Sequence, residues 1–122
     1  MKVIIDTNAL MIPVQFKVDI FEELKRLGFD IHVVPTAVIT ELDNLIKNLK
    51  GQDRIAAKVA RSMAERCETV HMDGYADDVI LELAMKLQAA VLTNDIGLRR
   101  RLEEKNIPVI CLRQKNRLEI VS

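Results

Sequence analysis

Short apolar runs alternate along the chain with longer segments in which apolar residues recur at helical spacing. The runs predict five strands, at residues 2–5, 31–34, 69–72, 89–93 and 108–112. The periodic segments predict five helices, at residues 18–27, 36–49, 51–67, 75–87 and 95–105. This alternation indicates an α/β fold with a mainly parallel sheet, right-handed crossovers and helices on both faces.

The same pattern predicts how far the domain extends and which side chains build its core. We expect one domain over residues 1–122, because the sequence contains no linker, internal repeat or low-complexity tract. The tail, residues 117–121, is a candidate further strand at the edge of the sheet. In the third predicted helix, the spacing of Ile55, Val59 and Met63 predicts that these side chains face the core.

Cysteine usage and hydropathy indicate the compartment. Cys67 and Cys111 lie far apart and outside any metal-ligand spacing, so we expect two reduced, packed thiols. The first strand-like run begins at residue 2, which leaves no room for a signal peptide. Since no apolar segment approaches the ~20 residues that span a bilayer, a soluble, cytoplasmic protein is expected.

Charge is balanced overall, with 18 basic and 18 acidic residues, but it is unevenly distributed. Residues 1–46 and 67–98 are acidic, whereas residues 47–66 and 99–122 are basic. Either an acidic pocket is rimmed by basic surface, or these are ordinary solvated helix faces. Under the first interpretation, the candidates for holding a phosphate backbone are Lys50, Arg54, Lys58, Arg61, Arg99 and Arg100.

Two acids directly follow predicted strands. Asp6 ends the run Ile4-Ile5, and Asp95 follows Leu92-Thr93-Asn94. In open parallel sheets, ligands bind outside the carboxyl ends of the strands. Taken singly, either acid is equally explained as a helix cap.

Glu41 is expected to point inward. It lies between Val38 and Leu45, within the apolar stripe of its helix, while Asp43 and Asn44 mark a polar side. An ionised carboxylate on an inward face is costly unless it is paired or coordinates a metal. Because the sequence offers no evident basic partner, a functional role is the favoured interpretation over a core salt bridge.

Helical geometry separates the neighbouring acids Asp77 and Asp78. At 100° per residue, Asp77 falls on the border of the apolar stripe, close in angle to Ala84. Asp78 falls on the far side with Glu82, where Lys86 can screen it. Asp77 is therefore the inward candidate, and Asp78 is interpreted as a surface acid or a supporting charge at the helix start.

In a parallel sheet, these four acids would share one edge: Asp6, Glu41, Asp77 and Asp95. Converging carboxylates repel one another unless a cation intervenes. Oxygen ligands without cysteine or histidine select the hard cations Mg²⁺ or Mn²⁺. Such ions activate water and stabilise phosphoryl charge, so phosphodiester hydrolysis is the expected chemistry.

Four sequence blocks together resemble the PIN-domain nucleases over nearly the whole chain. They are Ile4-Ile5-Asp6-Thr7-Asn8, Thr40-Glu41-Leu42, Asp77-Asp78-Val79-Ile80 and Leu92-Thr93-Asn94-Asp95. The resemblance implies a three-layer α/β/α fold with a central five-stranded sheet and a Mg²⁺- or Mn²⁺-dependent ribonuclease site. It implies Asp6, Glu41, Asp77 and Asp95 as metal-binding catalytic acids. The supporting residues would be Thr7, Asn8, Asp78, Thr93 and Asn94.

Several roles are compatible with this resemblance. The sequence Tyr75-Ala76-Asp77-Asp78 and the run Leu98-Arg99-Arg100-Arg101 resemble the PIN nucleases of small-subunit ribosomal RNA processing, which implies a pre-ribosomal partner. The alternative branch is the toxin ribonucleases, which implies an antitoxin. Small PIN domains commonly self-associate, so the resemblance makes a homodimer a candidate assembly. A PIN-like module that binds RNA without cutting it is the rival from another class.

Overall fold

The computed structural model describes residues 1–121, which are organised on one six-stranded sheet. Ser122, the last residue of the predicted domain, lies outside the described residues. The strands are β1 (Lys2–Ile5), β2 (Ile31–Pro35), β3 (Glu68–Val70), β4 (Ala90–Leu92), β5 (Val109–Arg113) and β6 (Arg117–Ile120). Their order across the sheet is β3-β2-β1-β4-β5-β6.

The strand order reverses between β1 and β4, which are parallel neighbours at the centre of the sheet. From β1 the chain proceeds to β2 and β3 on one side, and then to β4 and β5 on the other. Strands β1 to β5 all run parallel, so they end at one edge, here called the carboxyl edge; the opposite edge is the amino edge. In such sheets the crevice at the reversal point is where ligands bind.

Within residues 1–121, seven helices connect the strands. They are α1 (Thr7–Leu10), α2 (Ile12–Phe16), α3 (Ile20–Arg26), α4 (Thr36–Asn48), α5 (Gly51–Ala64), α6 (Ala76–Leu87) and α7 (Ile96–Glu104). Right-handed crossovers place the helices before β3 on one face and α6 and α7 on the other. Helix α4 packs against α5, helix α6 packs against α7, and the two groups meet where α4 contacts α6.

The predicted α/β class and the parallel sheet with alternating helices are confirmed, with element ends shifted by a few residues. The sheet has six strands instead of five, because the tail forms the candidate edge strand, β6, which pairs antiparallel with β5. The short helices α1 and α2 were not predicted. Each spans fewer than two turns, so neither contains a hydrophobic period that could be recognised.

The predicted inward face of α5 is wrong. Ile55 and Val59 are 49% and 37% exposed, and only Met63 is half-buried against the core. The buried face consists of small residues instead, namely Ala56, Ala57, Ala60 and Ala64. Because alanine occupies little volume, α5 packs closely against α1 and α4, and the larger side chains lie on its outer face.

The two thiols are packed singly, as expected. In the described chain Cys67 and Cys111 are both unpaired; Cys111 is buried and Cys67 is half-buried. Burial raises the pKa of the Cys67 thiol to about 11, so it is protonated at neutral pH and a poor nucleophile. Among the helices of residues 1–121, none is both long enough and apolar enough to cross a membrane.

Candidate active site

Asp6 is a buried carboxylate at the end of β1. Its side chain is 4% exposed, and both of its oxygens accept hydrogen bonds. The Thr7 backbone N–H donates to Oδ1 at 2.7 Å, and the Thr93 hydroxyl donates to Oδ2 at 2.8 Å. Burial raises the pKa of Asp6 to about 6; the two hydrogen bonds oppose this shift, and the charges of Asp77 and Glu41 add to it.

Thr93 joins the ends of the two central strands. Its side chain is fully buried, donates to Asp6 and accepts a hydrogen bond from the Asp95 backbone N–H at 3.0 Å. The register explains this position, because Ile5 pairs with Leu92 and the next residue on each strand is therefore level. Thr93 thus fixes Asp6 and the start of the loop that contains Asp95.

Both acids that follow strands are also helix caps, as the alternative interpretation proposed. Asp6 precedes α1, and its Oδ1 accepts from the first N–H of that helix. The Oδ1 of half-buried Asp95 accepts from the Leu98 N–H at 3.0 Å and caps α7. A carboxylate offers about four lone-pair sites, so capping through one oxygen leaves these groups able to bind a ligand.

Asp77 and Asp78 differ in their surroundings. Asp77 is half-buried on α6, and burial, the charge of Asp95 and the charge of Asp78 raise its pKa, while Arg101 lowers it. Asp78 is exposed and accepts from Arg101 Nη2 at 2.7 Å. The predicted difference in burial is therefore observed, but the predicted partner of Asp78 is wrong, because Lys86 pairs with Glu82 and Asp78 pairs with Arg101.

The interpretation that Glu41 points into the core is wrong, since its side chain is exposed. Helix α4 buries Ala37, Val38 and Leu42, and Glu41 lies beside this stripe on the part of the helix open to solvent. The argument from the cost of an inward charge therefore does not apply. Glu41 is nevertheless close enough to Asp6 for its charge to raise the pKa of that carboxyl.

The four acids thus influence one another in pairs. Asp6 is affected by Glu41 and Asp77, and Asp77 is affected by Asp95. Across residues 1–121, no three side chains of His, Cys, Asp or Glu lie close enough together to form a ready metal-binding cluster. The donor set itself consists of carboxylate oxygens that repel one another at a strand-end crevice, which suits a hard, partly hydrated divalent cation.

The other supporting candidates have different surroundings. Thr7 is buried, and within the part of the chain that the structure describes its hydroxyl oxygen has no hydrogen-bond partner. Asn8 is exposed on α1. Asn94 is also exposed, and its Oδ1 accepts from the Leu112 N–H at 3.0 Å. Asn94 therefore ties the loop after β4 to the end of β5.

The basic candidates on α4–α5 split into free and paired side chains. Lys50, Arg54 and Lys58 are exposed, and none of the ion pairs found between residues 1–121 includes them. Arg61 pairs with Asp43 at 3.0 Å and with Glu65 at 3.5 Å. Arg61 is therefore largely neutralised.

The basic run on α7 divides in the same way. Arg99 pairs with Glu103, and Arg101 pairs with Asp78, whereas Arg100 is exposed. Sequence reasoning missed Arg101 as a neighbour of the acids. The arginine run was its only signal, because a partner on another helix cannot be read from local spacing.

Comparisons with known proteins find a matching family model, similar sequences and a similar solved structure. A family model described as a PIN like domain matches residues 3–115, which contain all four acids. Ribonuclease VapC9 of Archaeoglobus fulgidus is 31% identical over 115 residues, covering 94% of this chain and 85% of VapC9. The rRNA-processing protein fcf1 of Schizosaccharomyces pombe is 34% identical, covering 88% of this chain and 57% of fcf1. The solved PIN domain endonuclease Utp24 superposes with a TM-score of 0.77 at 31% identity, covering 98% of this chain and 90% of that one.

Proposed function

This chain belongs to the PIN-domain family, and we propose that it is a metal-dependent endoribonuclease that hydrolyses RNA phosphodiester bonds. The observation that supports this most directly is the state of Asp6. It is buried, its pKa is raised to about 6, and two other acids contribute to the rise. A fold does not keep repelling carboxylates together at a strand-end crevice without a cost in stability, and a cation-binding function accounts for that cost.

In this proposal Asp6, Glu41, Asp77 and Asp95 hold one or two Mg²⁺ or Mn²⁺ ions. When bound, such a cation supplies an activated water and neutralises charge on the phosphoryl group. Thr93 orients Asp6 through the hydrogen bond to Oδ2. Since the pKa of Asp6 is about 6, its carboxyl is ionised in most molecules at neutral pH even before a cation binds.

The free cations at the start of α5 are proposed to hold the RNA backbone. Because β3 begins at the amino edge a few residues after α5 ends, α5 runs toward that edge. Its first residues therefore lie on the side of the carboxyl edge. Three exposed cations lie at the start of α5 or within it, namely Lys50, Arg54 and Lys58. Exposed Arg100 on α7 is a further candidate for binding the phosphates of the RNA.

We favour a role in ribosomal RNA processing, as the name of fcf1 states for that relative. The 34% identity to fcf1 and the match to Utp24 support this branch. The second candidate is a toxin ribonuclease with an antitoxin partner, which the 31% identity to VapC9 supports. Identification of the proteins that copurify distinguishes the two, because ribosome-assembly proteins support the first and a small tightly bound partner supports the second. Homodimerisation stays a prediction.

The proposed activity is tested by incubating single-stranded RNA with Mg²⁺ or Mn²⁺ and comparing the wild type with Asp6→Asn. The matched control is Glu104→Gln, an exposed acid at the far end of α7. Cleavage by the wild type and the control, but not by Asp6→Asn, is expected. Equal cleavage by wild type and Asp6→Asn would contradict the catalytic assignment.

A non-cutting RNA-binding module is distinguished by adding a thermal melt. A cation that binds only the folded state raises the melting temperature. A rise with Mn²⁺ that Asp6→Asn abolishes, together with RNA cleavage, supports the nuclease. The same rise without cleavage of any RNA would favour the scaffold instead.

A further inference from the structure

The turn between β5 and β6 is a basic surface that the acidic site does not explain. The hairpin tip, defined as residues 113–117, contains Arg113, Lys115 and Arg117, all exposed. Its only acidic neighbour along β6 is Glu119, which follows two residues later. Three cations therefore project from a short, solvent-exposed turn.

The backbone of the hairpin tip is locally unfavourable. Gln114 and Lys115 both have positive φ, of 53° and 61°, and the Asn116 N–H donates to the Arg113 carbonyl at 3.2 Å. Two left-handed residues within a four-residue turn correspond to a type I′ turn, for which Asn and Gly are strongly preferred. A long basic side chain at Lys115 is therefore not what the turn itself requires.

The side chains of the hairpin tip are also locally unfavourable. Arg113 lies directly opposite Arg117 across the strand pair, and like charges in this position destabilise a sheet. Both arginines share one carboxylate, Glu119, at 3.8 and 2.7 Å. Lys115 takes part in no ion pair among the described residues. Glu23 of α3 also interacts with the charge of Arg117, but it is paired with Arg26. The tip therefore retains excess positive charge, and such departures from local rules are expected at functional surfaces.

The hairpin tip stands at the carboxyl edge, next to the acids. Leu92, the last residue of β4, pairs with Ile110 of β5, so Arg113 lies beyond the end of β4, on the side where the loop with Asp95 follows. Only β4 separates β5 from β1, which puts the base of the hairpin roughly 10 Å from the line of β1. The hydrogen bond from the Leu112 N–H to Asn94 joins this base to the loop that contains Asp95.

We propose that the hairpin tip binds the sugar–phosphate backbone of single-stranded RNA and directs the strand to the acidic crevice. The ligand class rests on the proposed ribonuclease function. Arg113, Lys115 and Arg117 supply the cations that phosphates require, and the turn presents them on the same edge as Asp6. The bond to Asn94 keeps this surface in a fixed position relative to the acids.

The test is a binding titration of a short fluorescein-labelled single-stranded RNA, followed by anisotropy at several salt concentrations. It uses the full chain with Asp6→Asn in EDTA, so that cleavage does not interfere. The hairpin variant adds Arg113→Gln, Lys115→Asn and Arg117→Gln; asparagine tolerates the positive φ at position 115. Loss of three phosphate contacts should lower the slope of log affinity against log salt by about 2 and weaken binding at least ~10-fold.

The matched control removes three exposed cations from the opposite edge, with Lys2→Gln, Lys86→Gln and Lys105→Gln. Lys2 begins β1 at the amino edge, and the other two residues lie at the ends of α6 and α7, which run toward that edge. The change in net charge is therefore identical to that of the hairpin variant. Circular dichroism and melting establish that both variants are folded. A further variant, Arg113→Lys with Arg117→Lys, should retain most of the affinity.

Weaker binding and a lower salt slope in the hairpin variant alone support the inference. Unchanged binding, or an equal loss in the control, overturns it. The wild type is assayed separately for cleavage with Mn²⁺. If hairpin-dependent binding is found but the wild type does not cleave, the proposed function fails while the inference stands. If the wild type cleaves and the hairpin variant binds normally, only the inference fails.

Discussion

The four acids are divided between a sheet floor and a helical rim. The floor consists of Asp6, Thr93 and Asp95 at the ends of β1 and β4, where strand register and buried hydrogen bonds fix the side chains. The rim consists of Glu41 on α4 and Asp77 on α6, which are exposed and half-buried, respectively. The floor is therefore the half of the site that hydrogen bonds hold in place, whereas the rim carboxylates extend from helices and are free to adjust.

This division explains why the acids interact electrostatically without forming a ready three-ligand cluster within residues 1–121. The fold holds Asp6 in place and leaves the long side chain of Glu41 at a distance, where water lessens the repulsion. In the proposed function, the rim carboxylates would hold the cation together with those of the floor. The comparison therefore predicts large combined effects on activity and stability at the floor, and effects on activity alone at the rim.

The largest effect is expected for Asp6→Asn. Removal of even an outer partner of a metal ligand costs about 10- to 100-fold in activity, so loss of this carboxylate should cost at least about 100-fold. The same change should stabilise the metal-free protein at neutral pH, because it removes a buried charge. RNA cleavage with Mn²⁺ and urea unfolding in EDTA measure the two effects. A loss of activity together with a loss of stability would contradict the comparison.

The pH dependence of stability gives an independent check on Asp6. Its pKa rises from 3.8 to about 6 on folding, so the folded state binds more protons than the unfolded state between these values. Its contribution to the free energy of unfolding therefore falls as pH rises from about 4 to about 6, by about 3 kcal/mol in total. Asp6→Asn should lack this fall. Urea unfolding of both proteins at pH 4 and pH 7 measures the difference. If the free energy of unfolding changes equally with pH in wild type and variant, the raised pKa of Asp6 is ruled out.

Much of the floor follows from sequence, because a strand end is marked by the point where an apolar run stops. This point locates Asp6 and Asp95, and their convergence requires only a parallel sheet. The hydrogen bonds of Thr93 were not predictable, because they depend on the register between β1 and β4. The sequence alone does not show which residue of one strand lies beside which residue of another.

Sequence reasoning was less successful for the rim and for α5. Glu41 lies at the border of an apolar stripe, and a helical wheel does not show where the packed neighbour ends and solvent begins. Ile55 and Val59 are predicted on the wrong face for the same reason. A helical wheel places large apolar residues inward and does not consider that alanines allow two helices to pack more closely. Asp77 was separated from Asp78 because their difference in angle is large.

The second largest effect is expected for Thr93→Val, which keeps the shape of the side chain and removes its hydroxyl. Asp6 Oδ2 loses its donor and the Asp95 N–H loses its acceptor, so the free energy of unfolding should fall by about 1–3 kcal/mol. Activity should fall by about 10- to 100-fold. Thr93→Ser retains the hydroxyl and should recover most of both. Thr69→Val, at an exposed position of β3, is the matched control, and an equal loss there would contradict a specific role for Thr93.

A smaller effect, confined to activity, is expected for Glu41→Gln at the rim. Because the side chain is exposed, stability should change by less than about 0.5 kcal/mol. Cleavage with Mn²⁺ should fall by about 10-fold, with a higher Mn²⁺ concentration needed for half-maximal rate. Glu104→Gln, another exposed acid, should leave both values unchanged. A large loss of stability in Glu41→Gln would remove the distinction between rim and floor.

The smallest effect is expected for Asp78→Asn, which tests where the rim ends. Asp78 forms an exposed pair with Arg101, and such pairs contribute about 0–1 kcal/mol, so cleavage should change by less than about 5-fold.

The charges of Asp78 and Arg101 act on the pKa of Asp77 in opposite directions. Removing Asp78 eliminates one repulsion and frees Arg101, so the pKa of Asp77 should fall. Carboxyl titration by NMR measures that fall, and Asp77→Asn provides the comparison for activity. If Asp78→Asn lowers cleavage as much as Asp77→Asn does, Asp78 belongs to the rim, and the separation of the two residues is wrong.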